Sequence, residues 1–311
     1  MAVPLAEPPQ RYLELLSDTD LAVLGRSSGL GPDGAQEAAD HLRRHPELIE
    51  PALGSVRTFE HLFAPEDDGA GGAPPGLALG MSPLLLFAVA VHRGVADLAA
   101  SSFAGEPFGA WRRIPVFDTA DLRAHFEDPA HRLFAVEHLA SYTRVASGPM
   151  WVQGERGRLR RVRYSEVDPS RLASLLDVVD EDDKPGIYRR LGDLALFLCG
   201  VFPDWARRAP AHPVTVERLV RSVSTPAVGG RTVPFELGDI GPLSGGSGMG
   251  GLLRVLGPRW YDLAALRSPL PSVRRVLGDA AIGFEKTRRF LTLLTDRYLF
   301  PLRERWFGLP S

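Results

Sequence analysis

The run from Leu84 to Val91 is apolar without interruption, and it follows directly on Ser82-Pro83. Serine is a favoured N-cap, and proline is tolerated at the first helical position because its missing N–H would be unpaired there anyway. The pair therefore predicts a helix from Pro83 to about Ser101. Its first half offers no polar face to water, so it has to be enclosed by other elements. An apolar run of this length is too short to cross a bilayer, which needs about 20 residues. His92, Arg93 and Asp97 then bring charge into the same helix. The expectation is a helical domain assembled around this segment, with no membrane insertion.

Most of the remaining chain also carries helical spacing. Tyr12, Leu15 and Leu16 form one short pattern, and Leu21, Val23 and Leu24 another. Two further helices are expected from about Pro32 to Arg44 and from Glu47 to Phe63, with Pro46 limiting the first of them. Residues 64–80 are rich in Gly, Pro and acidic side chains and read as a linker. This divides the chain into an N-terminal helical module (1–63), a linker (64–80) and a main helical domain (81–311). Asp118, Asp128-Pro129 and Asp168-Pro169 mark further helix starts. Asp183 to Phe202 is strongly amphipathic, with Ile187, Leu191, Leu194, Leu198 and Val201 on one face. Helices near 250–265 and 279–299 close the pattern. The period changes to two at Met150–Gln153 and Leu159–Glu166, on either side of Gly154-Glu155-Arg156-Gly157, which predicts a β-hairpin. A short strand is expected at Thr232–Leu237. The fold class is mainly α: a multi-helix bundle with one inserted β-hairpin near residues 150–166.

Composition excludes several classes. The net charge of -2 argues against a surface that attracts nucleic acid everywhere. A single cysteine, Cys199, cannot form an internal disulfide, and it lies between Leu198 and Gly200 as a small buried hydrophobe would. The first residues lack the basic and apolar regions of a signal peptide. A soluble cytoplasmic protein is expected. Of the 36 basic residues only Lys184 and Lys286 are lysines. Arginine is thus a compositional habit of this chain, and arginine clusters lose much of their value as markers of phosphate clamps.

The candidate ligand residues are histidines. Glu37, His41 and His45 are spaced four apart and would stack on one helix face, where a transition metal is a conceivable cofactor. An exposed helix end, where a cation near Pro46 is favoured by the helix dipole, explains them equally well. His125, Glu127, His131, Glu137 and His138 form a second group. His131 and His138 are two turns apart, roughly 10 Å along the axis, so a shared ion would need ligands from another helix. His92, on the apolar helix, is expected to be a neutral core residue with one hydrogen-bond partner. A pocket inside the bundle lined by His92, His131 and His138 is the way these residues would serve an enzyme or a ligand-binding protein. Asp193 reads as an ion-pair partner of Arg189 and Arg190. Gly246 to Gly251 matches a phosphate-loop spacing but lacks the preceding strand that such a loop requires.

Two surface features point to partners. Arg158, Arg160, Arg161 and Arg163 would place charge on both faces of the hairpin, beside Trp151, making an exposed ribbon able to touch nucleic acid. The acidic residues Asp177 and Asp180 to Asp183 would neutralise that ribbon. Trp306 and Phe307 near the end of the chain would anchor another protein if exposed. No Glu-x-x-His pair is present. The leading expectation is a helical interaction or regulatory protein whose partner is another protein.

Overall fold

The computed structural model describes residues 7–63, 80–100, 104–108, 112–116, 119–153, 159–224 and 248–301. Five short helices come first: Pro8–Leu15 (α1), Asp18–Ser28 (α2), Ala35–Arg44 (α3), Ile49–Gly54 (α4) and Val56–Phe63 (α5). The helix expected over 47–63 is thus two helices preceded by a 3-10 turn, Pro46–Leu48. Gly54 favours helix poorly. Ser55 then turns extended, with ψ 132, and its carbonyl accepts the first bond of α5, from Phe59 N at 3.1 Å.

The apolar segment forms α6, Pro83–Ala100. Its start is capped as expected, with Ser82 Oγ accepting from Leu85 N at 3.2 Å. Every side chain from Leu85 to His92 is buried. By length and hydropathy α6 has the make-up of a membrane span, yet 61% of it is enclosed by its neighbours. Those neighbours are α4, α5, α15 (Phe284–Leu294), α7 (Thr119–Glu127) and α8 (Pro129–Ser141). Each fully buried Leu, Val or Phe contributes about 1.5–3 kcal/mol through removal of apolar surface from water, so α6 is the main hub of this half. Asp20 fixes its entry. That carboxylate closes a capping box with Ser17 at the start of α2, and its second oxygen accepts from Ser82 N at 2.8 Å.

The second hub is α10, Lys184–Val201, which packs on α13 (Gly248–Arg267) and α15. Close approach of α10 and α13 depends on Gly192: a Cβ there would lie 2.9 Å from the Tyr261 ring. Between the hubs come α9 (Pro169–Ala173) and a 3-10 turn, Ser174–Asp177. Pro203–Arg208 (α11) and Pro213–Val223 (α12) follow α10, and Pro271–Ile282 (α14) follows α13. Asp128 and Asp168 cap α8 and α9, accepting from Ala130 N and from Ser170 N and Arg171 N. The helix expected over 279–299 breaks at Gly283, where a Cβ would meet the His125 ring at 2.5 Å, and it ends in a π turn, Thr295–Leu299. One continuous core takes in Tyr12, Leu24 and Ile49 from before the 64–80 segment and Leu85, Leu194 and Trp260 from after it.

Two antiparallel hairpins stand on this helical body. The expected one pairs Ser147–Gln153 (β3) with Leu159–Ser165 (β4), Met150 opposite Val162. The other was not expected: Ala104–Phe108 (β1) pairs with Arg112–Val116 (β2). Pro107 and Pro115 hide its strand character. In a two-stranded ribbon both strands are edges, where proline is tolerated because its missing donor can face away from the partner. The strand expected at Thr232–Leu237 lies outside the described residues, as does Asp118.

Candidate functional site

The histidines proposed to share a pocket occupy three environments. On α6, His92 is 8% exposed, and its Nε2 lies 3.4 Å from the Tyr12 hydroxyl. Burial, reinforced by the nearby Arg132 charge, pushes its pKa down to about 3. A neutral ring with one polar partner is a core residue, as expected from its apolar helix. His131 Nδ1 lies 2.7 Å from the carbonyl of His125, and the two rings stack at 3.9 Å. Burial first, then His131 and Lys286, pushes His125 down to about 4. His138 lies two turns further along α8 and faces α10. Among the described residues no hydrogen bond or ring contact joins any two of His92, His131 and His138. The three make no direct contact with one another: His92 sits on α6, and α8 turns His131 and His138 toward different neighbours.

His138 belongs to a polar cluster in the second hub. Its side chain is 1% exposed, and Nδ1 stands 3.9 Å from Asp193 Oδ1. That separation allows Coulomb attraction but exceeds a hydrogen bond. The Tyr261 hydroxyl donates to the same oxygen at 2.7 Å, and Arg189 Nε lies 3.8 Å from Oδ2. Burial works to raise the Asp193 carboxyl, but His138, Arg189 and the Tyr261 hydroxyl outweigh it and hold it below its ordinary value. The Tyr261 phenol is pushed well up, by burial and then by Asp193. Arg190 covers the Tyr142 ring at 4.1 Å and reaches Glu166 and Ser141. Both ring nitrogens of His138 and the Tyr142 hydroxyl are buried without a hydrogen-bond partner. Native interiors seldom leave such atoms bare, and a buried water with several polar neighbours is the usual completion. Asp193 was read from the sequence as an ion-pair partner of Arg189 and Arg190. The pair with Arg189 exists, while Arg190 turns to Glu166 instead.

The remaining ligand candidates are at the surface. Glu37 is exposed on α3, and His41 and His45 are half-buried with rings 4.9 Å apart. Glu37 does not join them; its Oε2 stands only 1.7 Å from where a Cβ on Gly34 would sit, folded back on its own helix start. His45 Nδ1 meets Glu47 at 3.2 Å. No group of three or more His, Cys, Asp or Glu side chains able to hold a metal exists among the described residues. Cys199 is buried, and its thiol is pushed up to about 12 by burial, which suppresses the thiolate that nucleophilic chemistry needs. Gly248 to Gly251 open α13, and there Met249 N donates to Ala209 O at 2.9 Å. A Cβ at Gly248 would lie 2.5 Å from Arg207 O. These glycines permit packing on α11, and the amide that would cradle a phosphate is already used.

On the hairpin, Arg161 and Arg163 are exposed on β4, with Trp151 opposite Arg161. The backbone of Arg160 continues that strand, while Arg158 lies outside the described residues. Neither Arg161 nor Arg163 pairs with the acidic run at 177–183 among the described residues. Trp306 and Phe307 also lie outside the described residues. Another surface was missed in the sequence. Phe202 is 38% exposed, Trp205 46% and Phe300 40%, with the Phe202 and Phe300 rings 6.0 Å apart. Trp205 lies three residues after Phe202, which stands at the N-terminal boundary of α11. The amphipathic pattern of α10 ends at Phe202, which disguised that residue as the last of a buried face.

No protein-family model matches the chain, and neither a curated protein nor a solved structure is detectably similar to it.

Proposed function

We propose that this chain is a helical interaction protein that holds a short apolar segment of another protein on the Phe202–Trp205–Phe300 surface. The observation that carries the reading is the exposure of Phe202 and Phe300 with their rings 6.0 Å apart, together with the exposed Trp205 three residues along the chain from Phe202. Aromatic side chains dominate binding energetics when a partner desolvates them. Asp204 and Arg207 pair beside them and provide a polar rim. Size indicates the kind of partner. Each aromatic residue carries ~150–250 Å², so these exposures offer roughly 200–300 Å² together. A stable dimer buries about 800 Å² on each side, which this surface does not reach. A peptide-like segment with one or two apolar anchors fits it better than a second copy of the chain.

The test is a photo-crosslinking amino acid placed at position 205 in the native cells, followed by mass spectrometry of the adduct. The expected product joins one other protein and disappears when Phe202→Ser is added. The Trp205→Ala chain should still fold, with a loss of no more than about 1 kcal/mol, because the site is half exposed. An adduct formed only within the chain, or only between two copies of it, overturns the proposal.

A further inference from the structure

A pocket of about 130 Å³ opens between α9, the 3-10 turn Ser174–Asp177, the start of α10 and α12. That is the volume of about four water molecules, enough for a small metabolite. Its charges are divided by element. Arg218 and Arg221 come from α12, three residues apart and so on one side of that helix. Asp177 comes from the 3-10 turn, and Lys184 at the start of α10 is already paired with Glu181. Leu176 and the buried Tyr188 supply the apolar part. Arg267 lies over the Tyr188 ring at 5.1 Å, with Nε and Nη1 buried and unpartnered, and adds positive charge to this neighbourhood.

The present partners of the two arginines are replaceable. Arg221 Nη2 meets Glu217 at 2.6 Å, but both side chains are more than two-thirds exposed, and such pairs are worth little. Arg218 gives one N–H to the Ser170 hydroxyl at 2.9 Å and keeps its other donors. Two guanidinium forks suit a carboxylate, which they can bind through paired hydrogen bonds. A simple anion would leave Asp177 as a repulsive neighbour. A ligand that also carries an ammonium group turns that repulsion into a second contact.

We infer that this pocket binds a small zwitterion of the amino-acid type, its carboxylate on Arg218 and Arg221, its ammonium on Asp177 and its hydrocarbon part against Leu176 and Tyr188. The inference is independent of the aromatic surface, which lies on other residues.

Thermal denaturation of the full chain tests it with glycine, L-alanine and L-serine as probes, and with propionate, ethylamine and inorganic phosphate as controls. At saturating concentration at least one amino acid should raise the melting temperature by about 2–4 °C, and each control by less than half as much. The exposed arginines can be replaced without disturbing the core, so Arg218→Ala/Arg221→Ala should fold and lose the response. Asp177→Asn should make alanine and propionate equivalent. No response to any of the three amino acids, a larger response to phosphate, or an unchanged response in the double variant overturns the inference.

Discussion

Each hub helix carries one buried aspartate, and the two are held very differently. Asp97, on α6, is met by Arg93 Nε at 3.1 Å, by Arg297 Nη2 at 2.9 Å and by the Tyr298 hydroxyl. Asp193, on α10, has one short bond, from Tyr261; Arg189 and His138 stand 3.8 and 3.9 Å away. The groups around Asp97 close on it. Those around Asp193 leave slack, and His138 and Tyr142 beside it have polar atoms with no protein partner. A buried charge surrounded by short donors ties together the elements that carry them. Asp97 therefore ties α6 to the turn Thr295–Leu299 through several short bonds, whereas Asp193 joins α10 to α13 through one.

Three measurements sharpen or break this contrast. The largest effect is expected from Asp97→Ala, which strips three donors of their acceptor and should cost about 3 kcal/mol in urea unfolding. Next comes pH. His92 has a pKa of about 3 in the folded chain against an ordinary 6.5, so the unfolded chain binds more protons between those values. Stability should therefore rise with pH across that window and fall as pH drops through it. From pH 6.5 to 5 the His92 share is about 2 kcal/mol. His92→Gln should flatten the slope by that amount and leave a smaller residue from His125, which shifts in the same direction. The smallest effect is expected from Asp193→Ala, about 1–2 kcal/mol, because only the Tyr261 hydroxyl loses a short bond. A loss equal to that of Asp97→Ala would show the two clusters to be equivalent and end the comparison.

Much of the helical body was legible because its signals are local. Ser82-Pro83, Asp128-Pro129 and Asp168-Pro169 start helices where caps require them. The buried character of α6 follows from its lack of any polar face. Where the reading failed, the deciding contact was distant. Gly283 breaks the last long helix against the His125 ring. The β1–β2 hairpin was hidden by prolines that would exclude it from a wider sheet. Candidate residues fared less evenly: His92 met the expected single partner, but it did not join His131 and His138. The aromatic surface escaped notice because Phe202 continues an apolar pattern that α10 has already finished using.

Helix starts, the enclosed segment and the mainly α class were set along the chain, since a cap or an apolar run acts within a few residues. Folding alone decided that Tyr261 reaches Asp193, that His138 faces α10, and that Phe202 and Phe300 meet at the surface. Those meetings depend on how whole helices cross and turn. Residues far apart in order carry no local mark of the neighbour that packing will give them.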